Sequence, residues 1–160
     1  MTGAVIPVDG GFSAFSEQYG GQQVVEALNS IFPDLTRLIF AHRGTFDKYL
    51  GDAIMAFWGA PLANDDDTFQ SVKAAVEMRD TFRQVCAAQG GYLAKLGLGI
   101  GLNTGEATVG NIGSEKVMDY TVIGDTVNVA RRLQESAQAG EILISEATYN
   151  AVKDQVRAER

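Results

Sequence analysis

Apolar residues recur every three or four positions along Val24, Val25, Leu28, Ile31, Phe32, Leu35, Leu38 and Ile39. That spacing predicts a helix with one buried face. Gly20-Gly21 interrupts the pattern, so two helical pieces are expected, the first opened by Ser13 as an N-cap with Glu17 in its first turn. Arg43-Gly44 ends the second piece. Ahead of them, Ala4 to Val8 is a short apolar run that meets Asp9-Gly10-Gly11, which reads as a buried strand entering a loop. Behind them, Thr45 to Trp58 reads as a β-hairpin. Alternation puts Phe46, Lys48 and Leu50 on one face of its first strand. Gly51-Asp52 is a two-residue turn of the kind tight hairpins use. Ala53 to Trp58 is almost wholly apolar, as expected of a central strand covered on both sides.

Phe69, Val72, Ala75, Val76, Met78, Phe82 and Val85 predict a second long helix, stopped by Gly90-Gly91. The acidic run Asn64 to Asp67 complements the dipole at its start, a reading preferred to a metal site. Leu96 to Leu102 alternates strictly, leaving Gly97, Gly99 and Gly101 on a bare face. No GxxxxGK[ST] is present, so the glycines mark close packing of another backbone or helix rather than a phosphate loop. Asn103 to Glu106 reads as a turn, Ala107 to Ile112 as a strand, and Tyr120 to Ile123 as another. Asp125 is an N-cap for a helix from Thr126 to Ser136, with Val127, Ala130, Leu133 and Ala137 as its buried stripe. Asn128 and Arg132, four apart, stack beside that stripe. Glu141 to Ile144 is a strand, and Ser145 caps a last helix reaching Val152. The order β, α, hairpin, α, hairpin, α, β, α predicts an α+β fold: a ferredoxin-like split βαβ sandwich with an antiparallel-dominated sheet and helices on one face.

The chain has 160 residues, 46% of them hydrophobic, enough for a single domain spanning residues 1–160 with its own core. The net charge of −7 comes without a basic stripe, so nucleic acid is not an expected partner. A polyphosphate substrate would have to arrive with metal ions or meet a local cluster of cations. Cys86 is the only cysteine, which excludes a disulfide scaffold and a cysteine-rich zinc site. It reads as a buried, inert thiol, in keeping with a reducing cytoplasm. There is no run of 18 apolar residues and no signal segment. The single histidine, His42, adjoins a helix end, which weighs against a catalytic role.

The hairpin and the late helix together resemble the class III nucleotidyl cyclase catalytic domain. The segments that carry the resemblance are Phe46 to Phe57, Gly99 to Gly105, Asp119 to Ala130 and Gly140 to Tyr149. It extends from about Gly11 to Val152. It implies formation of a cyclic nucleotide: the ribose 3′-hydroxyl attacks the α-phosphate and pyrophosphate leaves. It further implies two divalent cations, Mg2+ or Mn2+, held by two carboxylates. By resemblance Asp52 is one metal ligand, Arg132 the cation of the transition state, and Asn128 the group that orients the ribose. Phe12 and Ser13 fall among the substrate-binding positions. Lys48 and Thr121 read the purine edge. A lysine only donates, which suits adenine N1 and not guanine N1–H, so ATP is the expected substrate; Thr121 can donate or accept.

Two departures accompany the resemblance. The family's other carboxylate stands in a segment Asp-x-x-Gly-Phe-Thr, whereas here Asp9 is one residue too close to Gly11-Phe12-Ser13. Gapless alignment puts Val8 in the carboxylate position; a one-residue deletion keeps Asp9 there, and the carboxylate beside the glycine-rich turn favours Asp9. The chain also reaches Arg160 without the family's closing hairpin and its basic residue for the terminal phosphates. Arg131 stands where the family commonly has a small residue, and is expected to face solvent. The resemblance implies a homodimer in which each site draws on both chains. It also implies a cytoplasmic location and further domains of a longer signalling protein. The competing expectation is a silent cyclase-like module that binds nucleotide or dimerises to regulate a partner, as would follow if the carboxylate were lost.

Overall fold

A computed structural model describes the backbone of residues 2–9 together with residues 20–50, 53–91, 94 and 96–160. The elements are β1 (Thr2–Asp9), α1 (Gly21–Ala41), β2 (Thr45–Leu50), β3 (Ala53–Phe57), α2 (Asp67–Gln89), β4 (Gly99–Glu106), β5 (Thr108–Gly113), β6 (Met118–Ile123), α3 (Asp125–Ser136), β7 (Ile142–Ile144) and α4 (Glu146–Val152). One sheet has the order β2-β3-β1-β4-β7, and β5-β6 form a separate ribbon. β1 lies antiparallel between β3 and β4, β2 pairs antiparallel with β3, and β7 joins β4 in parallel. The antiparallel-dominated α+β architecture is the one the element order predicts. Ser13 and the first helical piece lie outside the described residues.

The main core follows from the helical spacing. Ala27, Ile31, Leu35 and Ile39 line one face of α1 and meet Val72, Ala75, Met78, Phe82 and Cys86 of α2 over Ile54, Ala56 and Trp58. Leu98, Ile100 and Leu102 complete it. Burial pushes the Cys86 thiol up to about 11, so it stays protonated and inert. His42 is structural: its Nδ1 lies 2.8 Å from Gln70 Oε1 and its Nε2 2.5 Å from Glu77 Oε2. Its carbonyl accepts a 2.9 Å bond from Trp58 Nε1. The acidic run opens α2 as expected, with Asp67 Oδ2 accepting from the Asn64 N–H at 2.6 Å.

The helices occupy both faces of the sheet rather than one. Met55 and Phe57 of β3 point away from α1 and α2 and pack with Val122, Val127 and Ala130 of β6 and α3. The bare glycine face of β4 admits α3. A Cβ on Gly101 would stand 2.5 Å from Gln134 N and 2.9 Å from Leu133 Cβ. The backbone of a helix cannot step aside as a side chain can. Gly101→Ala is therefore expected to cost about 3 kcal/mol, the upper end of ordinary overpacking. Gly110→Ala, where a Cβ meets nothing within 4 Å, is expected to be near neutral. Urea unfolding of the two variants against the parent checks both.

Two local expectations are corrected. Asn103 to Glu106 is strand, not turn: β4 runs on along β1, with Val5 opposite Asn103 and Thr2 opposite Glu106. Asn103 Nδ2 donates to Thr126 O at 3.1 Å, so a turn-forming side chain is used to hold α3 instead. The chain reverses later, where Ser114 N donates to Val117 O at 2.8 Å between β5 and β6. At α3, Gly124 with φ 136° takes the N-cap position, and Asp125 falls in the first turn. Ser145 does cap α4, accepting from Thr148 N at 3.2 Å.

Candidate active site

Alternation along β2 is broken by a bulge. Phe46 is opposite Ala56 and Lys48 is opposite Met55, so Asp47 is an extra residue between them. Phe46 therefore packs on the α1–α2 core, while Leu50 joins the Met55–Phe57 side. The expectation that Phe46, Lys48 and Leu50 share a face fails here, because a bulge reverses the sense of alternation. Its consequence is that Lys48 faces the side of the sheet carrying β6 and α3. There it lines an open cavity of about 490 Å³ with Met55, Asp119, Thr121, Asn128 and Arg131.

Three of the residues singled out by sequence thus meet in one place: Lys48 from β2, Thr121 from β6 and Asn128 from α3. Thr121 is buried, and its hydroxyl donates to Asp47 Oδ2 at 2.7 Å. Lys48 Nζ stands 3.8 Å from Asp47 Oδ1, with the lysine side chain 37% exposed. Arg132 is not among the described residues lining the cavity. Its side chain is 68% exposed, 3.5 Å from Asp125 Oδ1, and its Nε reaches back to Asn128 O at 3.4 Å. Arg131 is exposed, as expected, and also contributes to the lining of the open cavity. Asp47 and Asp119 lie within the segments that carry the resemblance but are given no role by it, and the structure brings them to the site.

Asp52, Phe12 and Ser13 lie outside the described residues. β2 and β3 nevertheless close on each other with Leu50 opposite Ala53, so a two-residue connection carries Asp52. Asp9 ends β1, opposite Ala53 on one side and Gly99 on the other. Val8 is opposite Ile54, which belongs to the buried helical core. By strand alternation Ala53 shares the face of Met55, which also carries Lys48, and Ile54 falls on the other. The end of β1 at Asp9 and the closure of the β2–β3 hairpin at Leu50 and Ala53 thus lie at one end of the sheet. An all-oxygen donor set such as two carboxylates fits hard divalent cations such as Mg2+ and Mn2+.

Residues 9–160 match the family described as the adenylate and guanylate cyclase catalytic domain. Adenylate cyclase 1 of Rhizobium meliloti (strain 1021) is 31% identical over 149 residues, which is 91% of this chain and 22% of that protein. The chain spans less than a third of the length of such curated relatives. The crystal structure of the adenylyl cyclase CyaB from P. aeruginosa superposes with a TM-score of 0.90 at 36% identity, covering 98% of this chain and 82% of that one. The guanylyl cyclase Cya2 gives a TM-score of 0.91 at 38% identity, covering 98% and 81%.

Proposed function

The chain belongs to the adenylate and guanylate cyclase catalytic domain family, and from that premise we propose that it is an adenylate cyclase domain converting ATP to 3′,5′-cyclic AMP and pyrophosphate. An adenylyl and a guanylyl cyclase are both similar to it, so the fold does not choose the purine. The observation that carries the choice is the meeting of Lys48 and Thr121 in one cavity. The ammonium offers protons to adenine N1, which accepts, and would confront the N1–H of guanine with another donor.

Asn128, on the helix that walls the cavity, orients the ribose. Arg132 supplies the guanidinium for charge developing on the α-phosphoryl group, an interaction stronger in the transition state than in the ground state. Its exposure on α3 suits a group that meets triphosphate held largely by another chain. Asp9 and Asp52 hold the cations, and the pairing of Asp9 with Ala53 supports Asp9 over Val8 in that role. When bound, such ions neutralise the triphosphate and lower the pKa of the attacking hydroxyl.

A homodimer completes the reading. Ile112, Val117, Met118, Tyr120 and Ile123 of the β5–β6 ribbon are exposed, and a two-stranded ribbon gains stability from further packing. Among the described residues no helix is long and apolar enough to cross a membrane. The use of ATP fits a domain on the cytoplasmic side of a longer signalling protein. Incubation with ATP or GTP and Mg2+ or Mn2+, followed by quantification of cyclic products, tests the proposal. Cyclic AMP in excess of cyclic GMP is expected. The reverse order overturns the choice of ATP, and neither product overturns the enzyme.

A further inference from the structure

Asp47 has no part in the reading above, yet it is the most constrained polar group near the cavity. Its side chain is 0% exposed, and Oδ1 is a buried oxygen with no hydrogen-bond partner among the described residues. Burying a carboxylate that is not fully satisfied is costly and calls for a compensating use. The bulge turns this residue to the same side of β2 as Lys48, the side occupied by Thr121.

The chemistry of the 2.7 Å bond is directional. A carboxylate only accepts, so the Thr121 proton is committed to Asp47 Oδ2. The hydroxyl is left to present lone pairs to anything else it meets. A threonine without such a partner could turn either polarity to a ligand. We propose that Asp47 is a positioning residue that makes Thr121 an obligate acceptor, and thereby selects a purine with an amino group at C6 over one with a carbonyl. This rests on the proposed reading of the cavity as the purine site. Adenine then meets two matched readers: N1 accepts from Lys48, and the C6 amino group donates to Thr121. Guanine meets two mismatches, since N1–H faces an ammonium and O6 faces lone pairs. The same carboxylate stands 3.8 Å from the Lys48 ammonium, so one buried group steadies both readers.

The experiment compares kcat/KM for ATP, GTP and purine riboside triphosphate, which keeps N1 and lacks the C6 substituent. The proteins are the wild type, Asp47→Asn and Thr121→Val. Asp47→Asn replaces an obligate acceptor with an amide that accepts through Oδ1 and donates through Nδ2, so the Thr121 proton is no longer committed to it. The ATP:GTP ratio is expected to fall at least about tenfold, within the range polar mismatches command. The ratio of ATP to purine riboside triphosphate should fall with it. Ratios within one variant are independent of the amount of folded enzyme. Thr121→Val should bring ATP down to the level of purine riboside triphosphate, and it carries the test if Asp47→Asn fails to fold. An unchanged ATP:GTP ratio in folded Asp47→Asn, or equal loss with all three nucleotides, overturns the role of Asp47. So does a Thr121→Val protein that still prefers ATP to purine riboside triphosphate. A wild type that makes no cyclic nucleotide, or prefers GTP, overturns the proposed function and this inference together. Cyclic AMP formation by the wild type with unmoved ratios in the variants overturns the inference alone.

Discussion

Asp52→Asn is expected to lower cyclic AMP formation by at least about 10²-fold while the protein stays folded, a loss on the scale of removing one charge-stabilising group from an active site. The substitution keeps the shape of the side chain and removes the charge that a divalent cation needs. Asp52 sits in the connection that the Leu50–Ala53 pair closes, and Ala53 is paired with Asp9. Asp9→Asn should therefore behave alike. The measurement is cyclic AMP released by each variant, with circular dichroism and thermal melting to verify the fold. Wild-type turnover in folded Asp52→Asn removes that residue from the mechanism. A harmless Asp9→Asn beside an inactive Asp52→Asn means that the one-residue deletion is misplaced and another group completes the site.

Mixing two dead variants is expected to restore activity. In the proposed dimer, Asp52 of one chain and Arg132 of its partner serve the same substrate, so Asp52→Ala and Arg132→Ala should each be nearly inactive. Random exchange at equal concentrations makes about half the dimers mixed. In a mixed dimer one site receives both lesions and the other receives neither. Recovery of roughly a quarter of the parent activity follows from that arithmetic. Differently tagged chains establish that exchange has occurred. Confirmed mixed dimers with no recovery would show that the two residue sets do not form a shared site. The exposed apolar residues of the β5–β6 ribbon supply a second reading, because Met118→Asp should weaken dimerisation and recovery together.

Local sequence determined a large part of this protein. The three-and-four spacing in α1 and α2 depends only on which residues can share a helical face, and Ile31, Phe32, Leu35, Ile39, Val72, Ala75, Met78 and Phe82 are buried as it predicts, whereas Val25 is exposed. The apolar run of β3 announces a strand covered on both sides, because no other setting removes all of Ile54 to Phe57 from water. The bare glycine face of β4 likewise foretells a close neighbour, since only a missing Cβ lets a helix backbone approach so near. Lys48, Thr121 and Asn128 were legible through the family resemblance, whose motif segments contain them, and the structure brings them to one cavity.

What remained hidden is what depends on pairing between distant segments. Nothing local to Thr45–Leu50 announces the bulge at Asp47, because a bulge exists only against the register of a partner strand. Turn-forming residues at Asn103 to Gly105 stayed extended because β1 offered a longer ladder and Thr126 a hydrogen bond. The placement of Arg131 rather than Arg132 in the cavity wall follows from how α3 is rotated over β4, which spacing alone leaves open. The polarity of Thr121 is decided by a carboxylate 74 residues away in the chain. Sequence determines which groups a site can contain; the tertiary structure decides which way each one offers its protons, because a hydrogen bond's direction is set by the partner it meets.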